Sequence, residues 1–197
     1  MVVGVPKEVK ANEKRVALLP HLVKSIISLG HEVVVQKNAG LESGIDDKSY
    51  IEEGAKILDS IEQVYKESDF IIKVKEPLDS ELDLIKDSQV IFTFFHFAAD
   101  KKLLQRFIDT NAIAIAYETV EDKKNKLPLL TPMSEIAGRM AVQNGAKYLE
   151  GTLGGKGKLL SGVPGVEPAT VTIIGAGVVG LNAAKLASGW GAKVNIL

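Results

Sequence analysis

The segment VTIIGAGVVGLNAAKLASGWGAKVNIL at residues 171–197 constrains the architecture of this chain more than any other stretch. Gly175, Gly177 and Gly180 form G-x-G-x-x-G directly after the apolar run VTII and directly before a helical pattern, and AKVNIL then reads as a second strand. The first glycine permits a tight turn, the second lets a ligand approach the backbone, and the third lets the helix pack closely on the strand. The helix that follows, which carries Leu181, Ala184, Leu186 and Ala187, would point its first N–H groups and its positive dipole end at whatever lies over the turn. Either a glycine-rich packing turn or a pyrophosphate cradle would use these residues, and the strand-turn-helix-strand context favours the cradle. The acidic residue that would hold the adenosine ribose is expected about 20 residues after the glycines. That position falls just past Leu197, so the segment reads as only the first β-α-β unit of a dinucleotide fold.

The first 120 residues alternate short apolar runs with helical patterns, the signature of a parallel sheet with crossover helices. Strands are predicted at MVVGV, EVVVQ, DFIIKVK, QVIFTFF and AIAIAY. Between them, PHLVKSIISLG and DKKLLQRFIDT place apolar residues at helical spacing. A Pro-containing stretch, KNKLPLLTP, then leads to Ser134, predicted as the N-cap of a long helix with Glu135 in its first turn. The fold class expected is therefore α/β. Residues 1–133 form one parallel-sheet domain, and residues 134–197 form a connector helix followed by an incomplete Rossmann domain.

Composition narrows the partners. With 25 acidic against 24 basic residues, the chain carries no charge excess suited to nucleic acid or an anionic membrane, so a small-molecule partner is the expectation. Cysteine is absent, which excludes disulfides, thiolate nucleophiles and cysteine metal sites, and no metal site is predicted. Redox chemistry would have to come from a cofactor. The N-terminus MVVGVPKE has no basic region followed by a long apolar run, and the longest apolar stretch is too short to span a bilayer. A cytoplasmic location is the simplest expectation.

Ligands of open parallel sheets bind beyond the carboxyl ends of the strands. The predicted strand ends lead to Arg15, to Lys73, Lys75 and Glu76, to His96, and to Glu118. Arginine suits a bidentate carboxylate contact, lysine a carbonyl oxygen, and histidine a mobile proton, so the set suits a small anionic carbonyl compound. Each also has an ordinary structural role open to it. Arg15 sits in a charged loop, strand-end lysines commonly reach back to water, and His96 within FTFFHFAA could be a satisfied core residue.

Taken together, GVPKEVKANEKRVALLP, IKVKEP, FTFFHFAA, AYETV, LPLLTPMSEIAGRMA, GVPGVEPA and IGAGVVG resemble, in order and spacing, the bacterial alanine dehydrogenases of the alanine dehydrogenase and transhydrogenase group. The resemblance covers the whole chain. It implies an N-terminal substrate domain and a Rossmann NAD domain facing each other across a cleft, and reversible NAD-dependent conversion of L-alanine to pyruvate and ammonium. At the matching positions, Arg15 and Lys75 would bind pyruvate, His96 would exchange protons at the carbinolamine and amine steps, and Ser134 with Gly175, Gly177, Val178 and Gly180 would contact NAD. It also implies a homo-oligomer, a hexamer in the family and at least a dimer here, and a second catalytic carboxylate located past Leu197. A chain of this extent is accordingly expected to fold in its N-terminal part but to turn over poorly. The alternatives are the NAD-binding subunit of the proton-translocating transhydrogenase, whose pattern lacks the lysine and histidine, the more distant saccharopine dehydrogenase, and a fragment that only folds and associates.

Overall fold

The computed structural model describes residues 1–197 and divides into two compact units, Met1–Val120 and Glu121–Leu197. The first unit is built on six parallel strands, β1 (Val2–Val5), β2 (Glu32–Gln36), β3 (Lys56–Leu58), β4 (Phe70–Ile72), β5 (Val90–Thr93) and β6 (Ile113–Ala116). Their order across the sheet is β3-β2-β1-β4-β5-β6. Successive strands step to one side from β1 and, after β3, cross to the other. The order therefore reverses between β1 and β4, the kind of place at which open parallel sheets bind ligands beyond the carboxyl ends of their strands.

Side chains alternate between the two faces as the pleat requires. Val33 and Val35 of β2 pack with Val3, Val5, Leu18, Val23 and Tyr50 on one face, while Val34 joins Ile71, Ile91, Phe95 and Phe107 on the other. Each fully buried aliphatic side chain of this kind contributes about 1.5–3 kcal/mol. Helix α1 (Pro20–Ser28) starts with proline in its first turn, where the missing N–H costs nothing, and is followed by Gly30 in the left-handed region at φ 82°. Helix α2 (Asp47–Glu52) is capped by the Asp46 carboxylate, and α3 (Ile61–Glu67) by a capping box between Ser60 and Gln63. Helix α4 (Asp79–Leu82) is a single turn, and α5 (Lys101–Ile108) is capped by Asp100.

Several boundaries differ from those read in the sequence. The third, fourth and fifth predicted strands are shorter at their carboxyl ends, and past the end of β4 side chains take up backbone groups. The Val74 N–H goes to the Glu8 carboxylate at 2.6 Å, and the Lys75 carbonyl accepts the Thr93 hydroxyl at 2.8 Å. Strand β3 was not anticipated; three residues are too few to show a period.

In the second unit, α6 (Thr131–Leu149) packs against α7 (Val178–Gly189), and β7 (Thr170–Ile173) pairs in parallel with β8 (Lys193–Ile196). Ser134 is not the N-cap. The helix begins three residues earlier with Pro132 in its first turn, and the Ser134 N–H already donates to the Leu130 carbonyl at 3.2 Å. Contact between the helices depends on Gly138, where a Cβ would lie 2.2 Å from the Val179 carbonyl oxygen. Buried Asn182 is satisfied by the Val178 carbonyl at 2.9 Å and by Arg139 Nε at 3.3 Å. No helix is long and apolar enough to cross a membrane.

Candidate functional site

In the first unit the segments that follow β1, β4, β5 and β6 all leave from the same edge of the sheet, because every strand pair is parallel. They carry Arg15, Lys75, His96 and Glu118 respectively.

Arg15 is held by Glu13. Its Nε donates to Oε1 at 2.7 Å and its Nη2 to Oε2 at 2.6 Å, a two-point fork. The Glu13 side chain is 8% exposed, whereas that of Arg15 is 46% exposed. The hydrogen bond from Arg15 holds the Glu13 carboxyl below the usual glutamate range, and the positive charge of Lys75 pushes in the same direction. Reciprocally, the hydrogen bond to Glu13 pushes the Arg15 guanidinium further up. Glu13 thus pre-orients a half-exposed guanidinium, at a place where the Lys75 charge is also felt.

Lys73 and Lys75 have different surroundings. Lys73 does not reach back to water; it is fully buried, 2.7 Å from Glu81 Oε1 and 3.3 Å from Glu8 Oε2. Glu81 also accepts from the Tyr65 hydroxyl at 3.2 Å and from the Leu78 N–H at 3.0 Å. Two carboxylates share one ammonium in a dry site, and burial pushes the Glu8 carboxyl up despite the Lys73 charge. The cluster fixes the backbone on which the half-buried Lys75 is displayed, since Glu8 holds the N–H of intervening Val74.

His96 lies past the end of β5, beyond the buried part of FTFFHFAA. Phe95, one residue earlier, is fully buried and stacks on Phe97 at 4.4 Å between ring centroids, while the His96 side chain is 52% exposed. The change comes from the backbone. His96 takes φ 54° and ψ 29°, a left-handed conformation uncommon for a residue with a Cβ, and this turns the imidazole away from the core. Glu118 accepts the His96 N–H at 2.7 Å, and Glu76 Oε2 lies 3.7 Å from His96 Nδ1. The other Glu76 oxygen is paired with Lys10. A guanidinium, an ammonium and an imidazole, each backed by a carboxylate or a buried ion cluster, can bind a small carboxylate and move a proton. Glu8, Glu13 and Glu76 carry much of this arrangement. Glu76 had been marked by its place at a predicted strand end, whereas the alternation of acidic and basic residues in KEVKANEKR was the only sequence signal for Glu8 and Glu13.

The second unit carries the glycine turn. Gly175 has φ 95°, and a Cβ at Gly175 or Gly177 would meet nothing within 4 Å, so the turn is open on the outside. At Gly180 a Cβ would lie 2.0 Å from the Gly175 carbonyl oxygen, which is why the helix can start so close to the strand. Gly177 is the N-cap of α7 and offers no side-chain acceptor to the helix N-terminus, and Val178 is its first residue. Ser134, Gly175, Gly177, Val178 and Gly180 line one cavity of about 790 Å3. A concave, open turn at an uncapped helix N-terminus fits a pyrophosphate.

Comparison with known proteins gives concordant results. Residues 4–137 match the profile of the alanine dehydrogenase/PNT N-terminal domain, and residues 141–197 that of the corresponding C-terminal domain. The chain is 54% identical over all 197 residues to the alanine dehydrogenase of Methanococcus maripaludis and 53% identical to that of Bacillus subtilis, covering 53% and 52% of those proteins. It thus spans about half the length of the curated relatives it matches. Among solved structures, an L-alanine dehydrogenase superposes over the whole chain with a TM-score of 0.92 at 47% identity, the chain covering 54% of it. A transhydrogenase from Sinorhizobium meliloti gives 0.80 at 26% identity, with 58% of it covered.

Proposed function

The chain belongs to the alanine dehydrogenase/PNT family, and from that premise we propose that it serves the NAD-dependent interconversion of L-alanine with pyruvate and ammonium. In this proposal residues 1–133 bind the substrate and residues 134–197 begin the nucleotide-binding part. The observation that carries it is the placement of Arg15, Lys75 and His96 on segments leaving one edge of one parallel sheet. The transhydrogenase likeness is the weaker of the two in both identity and superposition.

Ser134, Gly175, Gly177, Val178 and Gly180 would hold NAD, which when bound supplies the acceptor for the hydride leaving C2 of alanine. The remaining steps fall to side chains of the first unit. Arg15, kept in orientation by Glu13, has the geometry to take the substrate carboxylate. The Lys75 ammonium would sit against the oxygen at C2 and offset its developing charge. His96 would take a proton from the water that adds to C2 and return one to the departing nitrogen, so that alanine and water leave as pyruvate and ammonium. The protein would act on small molecules as a homo-oligomer.

The test is NADH oxidation by the full-length gene product with pyruvate, with and without ammonium, beside a His96→Ala variant. Ammonium-dependent turnover that collapses in the variant supports the proposal. Turnover independent of ammonium, or hydride exchange between two nucleotides, would overturn it.

A further inference from the structure

The Glu76 carboxylate is 15% exposed, and its two oxygens are used unequally. Oε1 is paired with Lys10, which fixes the side chain. Oε2 is buried and has no hydrogen-bond partner. A buried carboxylate oxygen left without a donor is costly, so its surroundings should contain a group that can supply one. The titratable group it faces is His96, with Nδ1 at 3.7 Å.

The neighbours of His96 make this pairing reachable by the ring alone. Its backbone is pinned, because Glu118 accepts the His96 N–H at 2.7 Å and the Phe95 N–H at 3.4 Å. The imidazole, by contrast, is half-exposed, with the Phe94 ring 6.0 Å away between centroids. A side-chain rotation that moves Nδ1 by about 1 Å would bring it to the distance of a charge-assisted bond. Catalytic hydrogen bonds are often long before substrate binds.

We propose that Glu76 is the positioning carboxylate of His96: Oε2 accepts the Nδ1–H, fixes the neutral ring in the Nδ1–H tautomer, and leaves the Nε2 lone pair to exchange the proton with substrate. The bond also stabilises the imidazolium formed when Nε2 takes that proton, because the positive ring then lies against a negative oxygen. No proton needs to pass to Glu76. The role in turnover rests on the assignment of His96 as the acid/base group, whereas the pairing itself does not.

The tautomer is measurable without turnover. Nitrogen NMR of the 197-residue chain at about pH 9, where an ordinary imidazole is neutral, distinguishes Nδ1–H from Nε2–H for each of its three histidines. An imidazole without a partner prefers the Nε2–H form in water. The expected result is Nδ1–H at His96 in the wild type and Nε2–H in Glu76→Met, which keeps side-chain volume and removes the acceptor, with His21 and His31 unchanged. Nε2–H at His96 in the wild type would overturn the pairing, and that measurement stands even if the variant does not fold. In the full-length protein, Glu76→Met should lower kcat for alanine at least about tenfold with KM within about twofold. A switched tautomer with unchanged kcat would overturn the positioning role. If instead His96→Ala leaves alanine oxidation intact, the functional proposal fails while the tautomer result still decides the pairing.

Discussion

The carboxylate of Glu118 accepts the backbone N–H groups of both His96 and Phe95, at 2.7 Å and 3.4 Å. It thereby clamps a residue held at φ 54°, a conformation that costs a residue with a Cβ roughly 1–2 kcal/mol. Replacing Glu118 with alanine should free the turn to relax. The expected loss is about 1–2 kcal/mol of stability and about tenfold in kcat for alanine, since a misplaced acid/base group is a less effective one. Denaturant titration and steady-state kinetics on Glu118→Ala check both, and an unchanged kcat would show that the turn holds its shape without the clamp.

Lys73 is the lone cation between buried Glu8 and Glu81. Lys73→Met should destabilise the first unit by about 3–5 kcal/mol, because it leaves two buried carboxylates uncompensated. The pH dependence has a definite sign. Burial already raises the Glu8 carboxyl above its ordinary value, so its contribution is most favourable below that value and is lost as pH rises through the folded one. The deficit of the variant should therefore shrink as pH falls. Near-ultraviolet dichroism of Tyr50, Tyr65 and Tyr117 reports this unit, and a deficit that grows on acidification would contradict the account.

Glu13 titrates in the opposite sense. Its folded value is lowered by the hydrogen bond from Arg15, so the pair stabilises the fold above the ordinary glutamate range and loses that stabilisation as pH falls through the depressed value. Glu13→Gln should flatten the acid side of the stability profile, as seen in melting temperature against pH. Arg15→Lys, which keeps the charge but breaks the fork, should raise KM for pyruvate by about tenfold.

The glycine turn offers a contrast between two similar substitutions. At Gly180 a Cβ would strike backbone at 2.0 Å, whereas at Gly177 it would enter open space. Gly180→Ala should destabilise the second unit, followed by the fluorescence of Trp190, by about 1–3 kcal/mol. Gly177→Ala should keep the midpoint and weaken NADH binding at least about tenfold, by standing where phosphate would approach. NADH titration of both variants separates the effects, and equal binding by Gly177→Ala and wild type would remove the turn from the nucleotide site.

Much of the fold was legible because short-range patterns encode it. EVVVQ alternates between two apolar faces, PHLVKSIIS repeats at helical spacing, and GAGVVG combines a turn with a helix start in six residues. Such patterns record which side of an element is buried, and a parallel sheet follows from their order. Arg15, Lys75 and His96 were nameable for a related reason: once strands are placed, the residues just past them are candidates for the crevice. The start of α6 was misplaced because Ser134 has the chemistry of a cap, while Pro132, better suited to a first turn, was read as the end of the Pro-containing stretch that leads to the helix.

Sequence alone determined the class of this protein, every strand but β3 and the helices α1, α5, α6 and α7 within a few residues, and the residue types able to bind an anion and move a proton. Tertiary structure alone decided what each of those residues experiences. Lys73 and Lys75 are two positions apart, yet one is buried between two carboxylates and the other is displayed; His96 and Phe95 are adjacent, yet one is half-exposed and the other is core. These differences arise from partners distant in sequence, with Glu8 reaching Lys73 over 65 positions and Glu118 reaching His96 over 22. Charge and hydrogen bonding act through space, so no local pattern records them.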